Sequence, residues 1–418
     1  MKRWTSAAVG SDMVARLYAG RRAGPPQARP DPLGGSIGVP GDRGVVMNAA
    51  LPRWADVVLL PVVNLAVALL VAALVVALIG QSPVQVMTML VKGAFGSPRG
   101  LSYTLYYTTS FIFTGLAVAV AAHGGLFNIG AEGQASLGGL GTGLVALWLA
   151  PHLPAIVLLP LMLLGGALFG LAWAAVPGYL QAYRGSHVVI TTIMFNFLAS
   201  TLLVYLLVNP LKAPGGMSVE SVPFGPSAHL PGAHEALAWF GIAWPSSPLN
   251  LSLLLALAAA FGVYAFLWRS RAGYRLRAVG SSEGAAAYAG IRPKRQVIVA
   301  MGLSGALAGM VGMNEIAGVN GKLLLDFVGG AGFTGIAVAV MGRSHPFGIV
   351  LASLLFGALF QGGAEVAFEV QGFSRDMVVA LQGFVVLFSG AMAYVIAPWL
   401  ARALFLVTPK GAAVQGKA

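Results

Sequence analysis

A carboxylate in an apolar setting needs a physical reason, and Glu132 is in such a setting. The stretch Gly124–Gln134 reads GGLFNIGAEGQ and places four glycines and three polar side chains, Asn128, Glu132 and Gln134, between two long apolar runs. A charged group at membrane depth is costly and faces a cavity, a partner or the bundle interior. Two roles fit these side chains. They can bond backbone groups freed by a break in a helix, or they can meet a polar solute in transit. The same two roles stand for Asn196, which shares an otherwise apolar run with Thr191, Thr192 and Phe195. Glu315 with Asn314, and Gln382, read as packing or interface groups near or inside other apolar runs.

Covalent chemistry has no foothold. There is no H-E-x-x-H, no paired set of metal ligands and no strand-to-helix nucleophile elbow, so no catalytic residue and no metal site is assigned. A G-x-x-x-x-G-K match at Gly411, Gly416 and Lys417 is followed by Ala418 rather than Ser or Thr, and no strand precedes it, which makes it a chance hit. Zero cysteines exclude disulfides, thiolate metal sites and cysteine nucleophiles. Any energy from ATP must therefore enter through another polypeptide, and no cofactor is expected on this chain.

The elements that position these residues are membrane helices. Of 418 residues 57% are hydrophobic and 9% charged, against about 25% charged in a soluble domain. Mean hydropathy is +0.81, and the 56 glycines suit membrane helices, where glycine is common. An all-α polytopic fold follows. About ten apolar runs approach the ~20 residues that cross a hydrocarbon core: 57–79, 101–122, 135–150, 153–175, 187–208, 250–268, 297–317, 332–342, 346–363 and 377–399. With the N-terminus inside, 20 of the 25 basic residues fall in inner segments, and the outer loops keep Lys92, Arg99, Lys212, Lys322 and Arg375. This positive-inside bias predicts both termini in the cytoplasm. Residues 1–46, basic and rich in Gly and Pro, read as a disordered cytoplasmic extension, with Met47 as a candidate natural start. Residues 47–400 form the membrane domain and 401–418 a cytoplasmic tail.

Two runs open on glycine-rich breaks, Gly124–Gln134 and Gly329–Gly335, and on this topology their helices run in opposite directions. That is the pattern of an inverted five-plus-five repeat with broken helices at a translocation site. Glycine spacings such as Gly139/Gly143, Gly166/Gly170 and Gly305/Gly309 also suit close helix packing. The inner loop 269–296 carries seven basic residues, suited to cytoplasmic retention and to anionic lipid. Its middle is different: Glu283–Ala289 is an alanine-rich helix-former between Gly280 and Gly290, shaped to lie flat and seat in a partner's cleft. The outer loop 209–249, with seven prolines, reads as a docking surface or a stiff cap.

The stretch Gly273–Ile291 (GYRLRAVGSSEGAAAYAGI) resembles the cytoplasmic coupling loop of bacterial ABC importer permeases. Gly125–Gln134 (GLFNIGAEGQ), Val189–Asn196 (VITTIMFN) and Gly332–Gly348 (GFTGIAVAVMGRSHPFG) resemble the nucleoside and simple-sugar branch of the branched-chain amino acid/ribose-type permeases, and the likeness runs from about Leu51 to Leu400. It implies a multi-pass permease subunit of the bacterial inner membrane that carries nucleosides inward by alternating access. It also implies a second homologous permease, a cytoplasmic ATP-binding subunit holding ATP and Mg, and a periplasmic or lipid-anchored binding protein, with no nucleic-acid partner. ATPase coupling then falls to Arg275, Arg277, Gly280, Glu283, Ala285, Ala286, Tyr288 and Gly290. The substrate path falls to Phe127, Asn128, Glu132, Gln134, Thr191, Thr192, Phe195 and Asn196, since a nucleoside needs an aromatic face and hydrogen-bonding groups. One departure stands out: Gly284 occupies the position where many ABC importers carry Glu, and Glu283 sits one residue early. The rival readings are a simple-sugar importer and an ion-coupled carrier in which Glu132 and Glu315 would bind protons or sodium.

Overall fold

The computed structural model describes residues 59–370, 377–380, 382–384 and 387. The chain divides into units 1–49 and 50–418, and all the described residues belong to the second. The extension 1–46 with Met47, most of the run 377–399, and the tail 401–418 with its glycine-lysine match lie outside the described residues.

Among the described residues the elements are helices, and the β pairing consists of two isolated antiparallel bridges, Glu220 to Leu324 and Gly232 to Asn250. In order they are α1 (Leu60–Leu78), α2 (Pro83–Phe95), α3 (Pro98–His123), α4 (Ala131–Leu149), α5 (Ala155–Tyr179), α6 (Val188–Val208), α7 (Ala233–Ala238), α8 (Ser252–Tyr264), α9 (Arg271–Ser281), α10 (Glu283–Tyr288), α11 (Pro293–Gly309), α12 (Ala331–Met341) and α13 (Pro346–Glu369). Starts follow local chemistry. Proline stands at the first turn of α2, α3, α11 and α13, where its missing N–H costs nothing, and Ser97 accepts from the Gly100 amide at 3.0 Å to cap α3. Three helices run on into π-helical turns, Leu180–Arg184 after α5, Ala265–Arg269 after α8 and Met313–Asn320 after α11.

Six helical stretches are long and apolar enough to span a membrane: Pro98–His123, Ala155–Arg184, Val188–Val208, Ser252–Arg269, Pro293–Asn320 and Pro346–Glu369. α12 is apolar but only 11 residues long, and α4, 19 residues long, is diluted by glycine. Nine of the ten expected runs thus coincide with helices. Three helices were not foreseen, among them the short α7 within the 209–249 loop. α2 mixes Gln85, Thr88 and Lys92 into a short apolar pattern, and α9 lies in what reads as a basic loop.

α3 is the axis of the core, buried along Phe111–Ala121 and packed by α11, α12 and α13. α4, α5 and α11 meet over glycine. A Cβ at Gly170 would lie 2.2 Å from the Gly305 carbonyl oxygen, and one at Gly309 would lie 2.2 Å from that of Gly166, so both spacings serve backbone-to-backbone packing. Gly139 and Gly143 instead receive the Phe327 ring and Leu323.

Candidate functional site

The two glycine-rich breaks meet. α3 stops in a Schellman turn, with the Leu126 amide on the Ala121 carbonyl (3.0 Å) and the Gly125 amide on that of Ala122 (3.0 Å). Gly125 has φ 76°, which a side chain rarely adopts. The chain then turns back, and α4 starts at Ala131. The second break delivers the chain through Gly329 and Gly330 into α12. The Glu132 carboxylate bridges the two, accepting the Gly330 amide on Oε1 (2.9 Å) and the Gly332 amide on Oε2 (2.7 Å). A Cβ at Gly332 would lie 2.2 Å from the Glu132 backbone nitrogen, so glycine is required for this approach. The first four amides of any helix lack intrahelical partners, and in a membrane each unmet one costs several kcal/mol. A carboxylate at a helix N-terminus is also favoured by the macrodipole. Glu132 thus caps α12.

The other polar residues of the break cap α4. Asn196 takes the Gly133 amide on Oδ1 (2.9 Å) and donates to the Ile129 carbonyl (3.0 Å). Asn128, fully buried, takes the Gly130 amide (2.8 Å) and donates to Gln134 Oε1 (2.9 Å) and Ser304 Oγ (2.8 Å). Thr191 and Thr192 return their hydroxyls to their own helix, on the carbonyls of His187 and Val188. Phe195 packs on Trp173 at 5.1 Å between ring centroids, and Phe127 is half exposed. The hydrogen bonds that Asn128, Glu132 and Asn196 make to the backbone are those expected of groups that support a broken helix.

From this junction the helices leave in opposite directions. α4 ends beneath the 209–249 loop, where Ser227 Oγ donates to the Ala150 carbonyl (2.8 Å). α12 ends in the turn at His345, 5.0 Å from Trp268. With 19 and 11 residues, the pair reaches about 45 Å at 1.5 Å per residue, comparable to a bilayer with its headgroups. The 209–249 loop is fastened to the π-helical turn after α11 and the strand-like segment beyond it, through Leu230 N to Ala317 O (3.0 Å), Ser221 N to Leu323 O (2.9 Å) and the Lys322–Glu220 pair (2.8 Å). It is a fastened cap that still presents Met217, Trp239 and Phe240 to the outside.

At the opposite end, α10 forms where expected, capped by Ser282, with Gly290 at φ 76° just beyond it. Its faces are unequal: Ala286 is buried, Glu283 and Ala285 are exposed, and Tyr288 is 100% exposed. The Gly284 position opens onto empty space. Arg275 is exposed, while Arg277 turns back, its Nε on the Leu267 carbonyl (3.0 Å) and its guanidinium over the Trp268 ring at 5.8 Å. Trp268 also touches His123 and His345. Gly280 closes the contact, since a Cβ there would lie 2.2 Å from the His123 carbonyl and 2.8 Å from the Gly125 nitrogen. α9 therefore rests directly on the first break and reaches the turn after α12 through Trp268.

Glu315, read from sequence as a packing or interface group, is 7% exposed and sits in the π-helical turn after α11. It accepts from Tyr106 Oη, Ser110 Oγ (2.7 Å) and Asn314 Nδ2 (3.3 Å). It lines a cavity of about 180 Å³ with Gln382 and an aromatic wall. Distances of 204 to 209 residues along the chain hide this cluster from any local motif. Among the described residues no group of three His, Asp or Glu is placed to hold a metal ion.

Comparison with known proteins agrees with the helical architecture. Residues 100–390 match the family model described as branched-chain amino acid transport system / permease component. The chain is similar to the glucose ABC transporter permease protein of Haloferax volcanii, 35% identical over 78% of this chain and 86% of the relative. It is similar to the guanosine ABC transporter permease protein of Bacillus subtilis, 33% identical over 79% and 92%. A nucleoside ABC transporter permease protein of Lactococcus lactis is 32% identical over 73% and 83%. No solved structure matches.

Proposed function

The chain belongs to the branched-chain amino acid transport system permease family, a multi-pass ABC transporter permease, and from that premise we propose that it carries nucleosides inward, powered by a separate ATPase. The observation that carries this reading is the continuous contact from α9 through Gly280 and Gly125 to the Glu132 junction of α4 and α12. A push on the exposed face of α10 reaches both broken helices through it, and alternating access follows when their shared junction shifts. In this reading the ATPase docks on Arg275, Glu283, Ala285 and Tyr288. Arg277, Gly280, Ala286 and Gly290 shape the helices that receive it. Cargo passes beside Phe127, Glu132 and Phe195, with Asn128, Gln134, Thr191, Thr192 and Asn196 holding the path open. A second permease completes the pore, a binding protein delivers cargo at the 209–249 face, and both termini lie in the cytoplasm of a bacterial inner membrane. ATP and Mg reside on the partner, and this chain itself performs no catalysis.

Nucleoside cargo draws on the guanosine and nucleoside relatives, and the glucose relative favours a simple sugar as the second reading. Competition decides between them. In proteoliposomes holding the full complex, labelled uridine uptake should be displaced by adenosine and guanosine and left unchanged by glucose or ribose. Displacement by glucose alone would move the assignment to a sugar.

A further inference from the structure

We propose that the Glu315 cavity is the site where the permease grips the hydroxylated ring of its cargo, with Glu315, Tyr106 and Ser110 reading a vicinal pair of hydroxyls; this deepens the transport reading above and rests on it. The cavity lies between α3, the π-helical turn after α11, the approach to α12 and α13, next to Gly329 and Ala331 at the helix break. Its volume, about 180 Å³, leaves room for a sugar ring beside these groups.

The polarity of the wall selects the ligand chemistry. Tyr106 and Ser110 both spend their protons on Glu315, and Ser110 also takes an amide proton of Asn314 at 2.8 Å. A hydroxyl whose proton is committed can only accept. Glu315, with about four lone-pair sites and three donors, keeps an open acceptor position as well. With Glu315 ionised, this face accepts on all three residues and donates from none of them, so it fits a partner that donates twice from adjacent atoms. A vicinal diol does so, whereas the carbonyl and ring-nitrogen acceptors of a nucleobase do not. Ribose and glucose both carry such a diol. The rest of the wall carries the rings of Tyr107, Phe111, Phe327 and Phe360, with Phe111 and Phe360 5.0 Å apart, which suits the C–H faces of a sugar ring, and the amide of Gln382, which can serve a ring or glycosidic oxygen.

Glu315→Gln tests this, because it puts a donor into an acceptor-only face at nearly constant volume. Uptake of uridine and 2′-deoxyuridine is measured in proteoliposomes with the same partner proteins, so that the delivering protein's own selectivity cancels between wild type and variant. The uridine to 2′-deoxyuridine ratio should fall about tenfold in the variant, the worth of one hydrogen bond to a charged group. An unchanged ratio, whatever the total uptake, overturns the proposal. If the wild type carries glucose and no nucleoside, the cargo assignment fails while the site is still tested, by the ratio of glucose to 2-deoxyglucose. Should Glu315→Gln not accumulate, thermal shift of the wild-type permease without binding protein takes its place. Uridine should raise its Tm and 2′,3′-dideoxyuridine should not, and equal shifts would overturn the assignment.

Discussion

Glu132 is the residue on which the site turns, because one carboxylate caps the start of a helix through the Gly330 amide, 198 residues away. Glu132→Ala leaves the Gly330 and Gly332 amides without an acceptor, at about 1–3 kcal/mol for each buried group. Tm of the purified protein should drop and uptake should be lost, with Glu132→Gln, which keeps one carbonyl oxygen, in between. A Glu132→Ala protein with unaltered Tm would contradict the cap. The sequence makes Glu132, Asn128, Gln134 and Asn196 conspicuous as polar groups in apolar runs, and that much is legible because burying them has a known cost. Which amides they serve is not legible: Asn196 caps a helix 63 residues upstream, and nothing local encodes the pairing. Glu315 was harder still, since its setting is assembled from a π-helical turn and the far face of α3.

At the scale of elements, hydropathy is enough to find nine helices, and it fails where charge and apolar residues alternate, as in α2 and α9. It also cannot say which alanine of α10 faces out. The structure separates them, Ala285 exposed and Ala286 buried, and so separates two experiments. Ala285→Arg should abolish the response of the partner ATPase to cargo while leaving the permease's Tm unchanged. Ala286→Arg, an overpacked site, should lower Tm by a destabilisation of about 1–3 kcal/mol. Equal behaviour of the two would remove α10 as the docking face. Gly280→Val drives a side chain into the His123 carbonyl and should prise α9 from α3. ATP hydrolysis by the complex should persist while uptake falls at least about tenfold, a loss of roughly 1.4 kcal/mol in coupling. Parallel loss of both activities would mean that Gly280 serves only folding.

For the whole molecule the decisive property is the direction of its ends. The chain has no cysteine, so single cysteines report sidedness without background. A cysteine at Tyr288 should react with an impermeant maleimide only from the cytoplasmic face, and one at Met217 only from the opposite face. The same label at both positions from one side would reverse the topology. On the proposed function, the inverted arrangement of α4 and α12 about one junction serves access that alternates when the surface helices move. The most direct measurement is uridine uptake into proteoliposomes holding this chain with its partner permease, ATPase and binding protein, with ATP supplied on the ATPase face or replaced by a proton or sodium gradient. The account predicts uptake with ATP that Gly280→Val abolishes, and none from a gradient. Uptake by this chain alone, driven by the gradient and indifferent to ATP, would contradict it.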